Sequence, residues 1–489
     1  MSVSGDDTAA LRDALARLLG AEHVLAGDGP GVAHYGHDAT SARGLRGRAD
    51  LVVRPGSAAE VAAVLACCYE HEVPLIARGG GTGLAGGAVP LAGGVVCALE
   101  RVRAIRALEP ELWRMHVEAG LRTCEVQRLA RERGLCFPPD PGAAEQSQIG
   151  GNVATNAGGP HACKYGVTGA WVTGLEVALA PGELVEVGGP YRKDVGGYDL
   201  KSLLIGSEGT LGIVTAVRLR LLPAPEDALP LLAFFPTQAA GCAAILEVLA
   251  SGVECAALDF LDGDALRIAA GAWEGGELRL PTGAAFALLA EVDGTREAAR
   301  AAHAELVEVL APGALALVGA RGGQPSHDGR ADPARDLDRD ALWRWRDRVA
   351  GAVSAVRGGK VSEDVVVPVE RLAEALERFA AIAARHGLRA CAWGHGADGN
   401  VHANLLVDPA NAVDRAAARD ATDELFALAV ELGGAISGEH GVGALKRGQL
   451  ARQWAPRALE LHEQIKRAFD PKGLLNPGKK LARTPGRVA

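Results

Sequence analysis

The sequence predicts an α+β protein of two domains, one organised around long glycine loops and one built from ferredoxin-like strand and helix units. Three observations carry that expectation. The chain has 489 residues, too many for one hydrophobic core, so two or three domains are expected. Short apolar strands alternate with helices and glycine loops as far as the proline-rich stretch "LLPAPEDALP" (Leu221–Pro230), which reads as a linker. Beyond it the order changes to strand, helix and strand, repeated.

In the first half, "GSAAEVAAVLACCYEH" opens with Ser57 and Glu60 at capping-box spacing and reads as a helix. The strand "PLIAR", a glycine loop and the strand "GVVCALE" follow. The half ends on "IVTAVRLRLL", whose alternation of apolar residues with Arg predicts a half-exposed strand. After the linker, "LLAFF", a helix around Ala240–Leu249, "ECAALDF", "AAFALLAEV" and a helix over Arg296–Leu310 form one split β-α-β unit. A second comprises "VVVP", a helix over Val369–His386, "ACAWG", "VHANLLV" and a helix over Asp414–Leu432. The charged run "DGRADPARDLDRD" (Asp328–Asp340) reads as a solvated loop.

An apolar content of 48% with 23% charged residues fits a globular protein. Lys and Arg number 51 against 60 Asp and Glu, a net charge of −9 that argues against a nucleic-acid partner. The nine cysteines are scattered, with Cys67 and Cys68 adjacent and no Cys-x-x-Cys pair. That pattern excludes a disulfide scaffold, a zinc ribbon and a ferredoxin segment. "MSVSGDDTAA" lacks the marks of a secretory signal, and no apolar run is long enough to span a bilayer. The expected location is the cytoplasm, with peripheral attachment at the inner membrane left open.

"GTGLAG" (Gly81–Gly86) matches the letters of a dinucleotide fingerprint, and Glu100 stands where a ribose-binding acid would. The fingerprint must open a helix, however, and "GAVPLAGGVV" leaves no room for one. The better reading is a loop of exposed backbone N–H groups forming an anion nest beside Arg78. A second loop, Phe137–Gly166, combines prolines, paired glycines and small polar residues, a composition that lets backbone approach a large flat ligand. A third, "YDLKSLLIGSEGTLGIVT", sets Glu208 in a glycine turn before a strand.

Together these segments, with "FDPKGLLNPGK" (Phe469–Lys479), resemble the vanillyl-alcohol oxidase/p-cresol methylhydroxylase superfamily. The nearer branch is that of glycolate oxidase flavoprotein subunits, D-lactate dehydrogenases and D-2-hydroxyglutarate dehydrogenase. The resemblance covers nearly the whole chain. It implies a two-subdomain FAD-binding domain of the p-cresol methylhydroxylase type over 1–225. A ferredoxin-like substrate (cap) domain with a metal site would span 226–468, and a C-terminal segment, 469–489, would return to the first domain. It assigns non-covalent FAD to Arg78, Gly79, Gly80, Gly81, Thr82, Gly83 and Leu84 of the first loop. From the second loop it adds Pro139, Asp140, Gly150, Gly151, Asn152, Thr155, Asn156, Gly158 and Gly159. Glu208 and Ile213 would contact the adenosine portion, and Asn476 would close over the flavin. No secure covalent attachment point is present, although His161 and Cys163 stand near the motif.

Two histidine clusters remain, "GHGADGNVH" and "SGEHGVG". A lone histidine on a strand is usually structural. His395 and His402 are seven apart and would face opposite ways on one strand, but a turn at "GADGN" lets them converge. Two histidines and a glutamate with an open position suit Zn²⁺ or a similar divalent ion. By the resemblance, His395, His402 and Glu439 are the ligands, His440 is the base, and Arg346 and Lys360 hold the substrate carboxylate. Relatives usually carry Gly-Asp-Gly-Asn where this chain has Ala397-Asp398-Gly399-Asn400, so Ala397 would be strained if that position needs a positive φ. Asp398 is expected to be a turn residue or to orient an imidazole. The implied activity is FAD-dependent, metal-assisted oxidation of a D-2-hydroxy acid, of D-lactate or D-2-hydroxyglutarate type. The alternative is the flavoprotein subunit of a glycolate oxidase complex. Electrons would pass to an electron-transfer flavoprotein, a quinone or an iron–sulfur subunit, and a homodimer is left open.

Overall fold

The computed structural model describes residues 5–273, 279–319 and 337–481. The chain forms two compact units, Met1–Gly159 with Val167–Ala224 and Glu439–Ala489, and Pro160–Gly166 with Pro225–Gly438.

The first unit holds two main sheets. One has the strand order Val24–Ala26, Leu51–Val53, Val95–Ala98, Leu75–Arg78, its last three strands parallel. The Ala58–Glu70 helix precedes the Leu75–Arg78 strand and is capped as its sequence predicts. Ser57 accepts from the Glu60 amide at 3.2 Å, and Glu60 accepts from the Gly56 amide at 2.7 Å. The second sheet is antiparallel, in the order Ile105–Glu109, Arg114–Glu118, Ile213–Arg220, Val172–Leu179, Glu183–Gly188. Ile213–Arg220, expected to be half exposed, is the central strand and is buried except near Arg218 and Arg220. The helices Ala58–Glu70 and Ile149–Thr155 pack against it, so only its arginine end reaches water.

The chain returns to this unit at Glu439, thirty residues earlier than the expected 469. Hydrogen bonds to backbone carbonyls of the first unit explain the difference. Ala444 donates to Ala85 at 2.9 Å, and the Lys466 ammonium reaches the Thr210 carbonyl at 2.6 Å. Leu75 then donates to Leu474 at 2.9 Å and Asn476 to Leu75 at 2.8 Å.

The second unit is a seven-stranded antiparallel sheet. Its order is Ala316–Val318, Asp227–Phe235, Phe286–Gly294, Ala257–Asp262, Arg389–His395, Asn400–Val407, Gly359–Val366. The first four strands, with helices Gln238–Ser251 and Arg296–Leu310, make one split β-α-β unit. The last three, with helices Leu372–Arg385 and Ala412–Glu431, make the second, and a bridge from Val366 to Ala435 supplies its fourth edge. Pairing of Asp259 with His395 joins the two halves into one sheet. The Arg339–Arg357 helix covers part of one face, with Leu342, Trp345 and Val353 packed against Leu232, Phe234 and Leu289. Asp338 caps this helix, so the end of the expected charged loop is helical. Residues 328–336 of that loop lie outside the described residues.

Candidate functional site

The glycine loops of the first unit do converge. They wall a cleft of about 920 Å³, its mouth included, with Arg78 to Gly83, Gly150 to Asn152, Thr155, Glu208, Ile213 and His440 on the lining. No helix opens at Gly81–Gly86, as the sequence requires for a nest. Gly81 has φ +69°, and a Cβ there would stand 2.1 Å from the hydrogen-bonded Arg78 guanidinium, so a side chain at this position is strained and displaces Arg78. Arg78 is buried, and its Nη atoms donate to the carbonyls of His37 at 2.8 Å and His34 at 2.9 Å. A fixed cation beneath exposed amides suits the phosphates of a large cofactor.

Other expected residues are not on this lining. Leu84, Pro139, Asp140, Asn156, Gly158, Gly159 and Asn476 do not line the cleft. Asn156 accepts from the Gly169 amide at 2.8 Å. Asn476 donates to the carbonyls of Gly87 at 2.9 Å and Glu208 at 2.7 Å, tying the C-terminal segment to two of the loops. Ser147 and Gln148 line the cleft and were missed, because no motif marks them. The carboxylate of Glu208 accepts from the amides of Val442 at 2.9 Å and Gly443 at 2.6 Å.

His161 and Cys163 belong to the second unit. Cys163 contacts the Ala256 carbonyl at 3.4 Å, and burial pushes its thiol up to about 12. His161 meets the buried Glu291 at 3.2 Å, with Arg339 at 2.8 and 3.0 Å and the Trp343 indole at 2.5 Å on the same carboxylate. Burial alone would raise Glu291, but His161 and Arg339 outweigh it and bring its pKa from 4.5 down to about 2. A depressed carboxylate stabilises the fold above the unfolded pKa, and that stability is lost as pH falls through the folded one. Glu291→Gln should therefore cost about 3 kcal/mol at neutral pH. It should also flatten the loss of stability between pH 4.5 and about 2. Urea melts of both proteins across that range check it; parallel pH curves would sink the assignment.

The histidine cluster stands on the same sheet. The turn at 396–399 lets His395 pair with Asn400 and His402 with Trp393, so both imidazoles share a face, ring centres 5.2 Å apart and nearly perpendicular. Ala397 is not among the residues with positive φ. Gly399 is, at +73°, and a Cβ there would meet the Val367 carbonyl at 1.9 Å. The special backbone position is therefore 399, and alanine at 397 is tolerated. Asp398 accepts from the Asn400 amide at 3.1 Å, which makes it a turn residue.

The residue that orients an imidazole is Asp259, on the "ECAALDF" strand. Its Oδ1 meets His395 Nδ1 at 2.7 Å, and its Oδ2 accepts from Arg346 Nε at 2.6 Å. Burial opposes ionisation, but His395 and Arg346 hold Asp259 well below the usual carboxylate range. An ionised Asp259 only accepts, so Nδ1 of His395 carries the hydrogen and Nε2 presents a lone pair. Lys360 donates to Asn404 at 3.0 Å and lies 4.3 Å from the Trp393 ring centre. Its ammonium is desolvated, which lowers its pKa to about 8.

Residues 224–480 match the FAD linked oxidases, C-terminal domain, and residues 49–188 the FAD binding domain. The chain is 34% identical to the glycolate oxidase subunit GlcD of Bacillus subtilis over 92% of each chain. It is 36% identical to a D-lactate dehydrogenase of Archaeoglobus fulgidus over 88% of this chain and 90% of that one. Two solved structures share its fold at a TM-score of 0.78 over 98% of both chains, p-cresol methylhydroxylase with substrate bound at 19% identity and 4-ethylphenol oxidase from Gulosibacter chungangensis at 21%.

Proposed function

Because the chain belongs to the FAD-linked oxidase family, we propose that it oxidises the C2 hydroxyl of a D-2-hydroxy acid, of D-lactate or D-2-hydroxyglutarate type. The observation that carries this reading is His440 on the wall of the glycine-loop cleft. FAD bound there would supply the two-electron acceptor. His440 would take the hydroxyl proton, a role that an imidazole performs near neutral pH. Lys360 would hold the substrate carboxylate, and Arg346, fixed by Asp259, would add positive charge beside it.

The donor chemistry also suits a divalent ion. His395 offers Nε2 with Asp259 behind it, the arrangement usual for a metal-bound imidazole. His402 stands beside it on the same face, and Glu439 follows Gly438 directly. Such an ion, most simply Zn²⁺, would supply polarisation of the substrate hydroxyl.

The test is direct. Acid should release intact FAD, since Cys163 and His161 are engaged within the second unit, and a D-2-hydroxy acid should bleach the flavin under argon. No bleaching by glycolate, either lactate, either 2-hydroxyglutarate or malate would sink the reading. The GlcD relative is a named subunit, so the alternative is a glycolate oxidase flavoprotein, recognised by copurifying chains and a preference for glycolate. Electrons would leave to an electron-transfer flavoprotein, a quinone or an iron–sulfur subunit. Among the described residues no helix is long and apolar enough to cross a membrane.

Lys360 adds a pH dependence. It must be charged to hold a carboxylate, and its pKa lies near 8. KM for the acid is expected to be flat below that value and to rise above it, as the ammonium loses its proton. Lys360→Met should show a raised KM without that inflection. An unchanged KM in the variant would remove Lys360 from the substrate.

A further inference from the structure

The dipeptide Glu439-His440 carries two roles in the reading above, ligand and base, and this inference rests on that reading. Glycines flank it on both sides, so the dipeptide itself does little to fix its direction. Two buried carboxylates instead hold the chain just before and just after it.

The entering chain is held in the second unit. After the Ala412–Glu431 helix, the chain pairs with the sheet edge through Val366 and Ala435, whose amides exchange hydrogen bonds at 3.0 and 2.9 Å. Asp364, fully buried on the same strand, then accepts from the Ser437 hydroxyl at 2.9 Å and the Gly438 amide at 2.8 Å. Its other oxygen accepts from the Asn400 side chain at 2.7 Å, and Asp364 pairs across the sheet with His402. The residue that binds next to a histidine of the cluster therefore also fixes where Glu439 begins.

The leaving chain is held in the first unit. Glu208 receives the amides of Val442 and Gly443, two and three residues after His440, one on each oxygen. Glu208 is itself buried in a left-handed turn at φ 55°, and its own amide donates to the Ala154 carbonyl at 2.7 Å. A bidentate carboxylate on consecutive amides fixes a loop as a bound anion fixes a nest, with charge-assisted bonds.

We propose that Asp364 and Glu208 are positioning residues that act through this dipeptide, Asp364 on the ligand Glu439 and Glu208 on the base His440. A purely structural role would lower stability or FAD retention in both variants alike. Positioning splits the two. Asp364→Asn should weaken Co²⁺ binding by about 10–100-fold, read by equilibrium dialysis and elemental analysis of the FAD-loaded, metal-stripped protein. Ser437→Ala, which leaves the carboxylate in place, should give a smaller loss in the same direction. Glu208→Gln should leave Co²⁺ affinity alone and slow anaerobic flavin reduction about 10-fold or more per bound FAD, with an altered pH profile.

His402→Ala and His440→Ala are run alongside. If His402→Ala binds Co²⁺ as the parent does, or His440→Ala reduces its flavin normally, the functional reading has failed. If those controls behave and both Asp364→Asn and Ser437→Ala keep parental Co²⁺ affinity, the Asp364 assignment is overturned. Should Asp364→Asn not fold, Ser437→Ala decides alone. Parental reduction kinetics in Glu208→Gln, or failure to hold FAD at any concentration, overturns the Glu208 assignment.

Discussion

His440→Ala is expected to lower the rate of anaerobic flavin reduction by about 10²–10⁴-fold, the usual contribution of a general base. The size follows from position. His440 lines the same cleft as the glycine loops and is the one histidine on its lining among the described residues. Its loop is tied by Val442 and Gly443 to Glu208, and by Ala444 to Ala85 at 2.9 Å, so removal of the imidazole leaves the backbone anchored. FAD content should therefore stay at the parental level, and the loss should appear in kcat and kcat/KM together. Stopped-flow reduction with bound FAD quantified checks it. Parental rates in the variant would mean that another group takes the proton.

The second large effect concerns the histidine pair. Metal removal by a chelator, and His402→Ala, are each expected to cut turnover by on the order of 10²-fold or more, since Lewis-acid polarisation is worth several kcal/mol. Asp259→Asn gives the graded version. The amide still reaches His395 but no longer fixes its tautomer, and metal affinity should fall about 10–100-fold. Because Oδ2 of Asp259 also holds Arg346 at 2.6 Å, KM for the acid should rise in the same variant. Metal content, FAD content and KM measured on one preparation test all three points. Full activity after exhaustive chelation would make the histidines structural.

Much of this architecture is legible in the chain because local signals and tertiary use agree. Ser57 and Glu60 start a helix where they should, and the helix over Arg296–Leu310 has the bounds its pattern predicts. The glycine loops are legible as an anion nest because runs of glycine leave successive backbone N–H groups exposed. The turn at "GADGN" places His395 and His402 on one face, since strand parity and a short turn allow little freedom.

What the sequence could not determine depends on residues far apart in the chain. Asp259 is one of two acids in an apolar strand, and nothing local shows that it faces His395, 136 residues away. Glu291 likewise gathers His161 from one segment and Arg339 and Trp343 from one distant helix. The exposure of Ile213–Arg220 was misread because alternation reports side-chain parity and not whether a strand is central. The return at Glu439 was invisible because it rests on backbone hydrogen bonds, which every residue except proline can make. The sequence by itself determined most of the elements, the glycine loops and the two histidine clusters. Only the tertiary structure decided which buried carboxylates orient them, because a carboxylate's partner is set by distance in space and not by spacing along the chain.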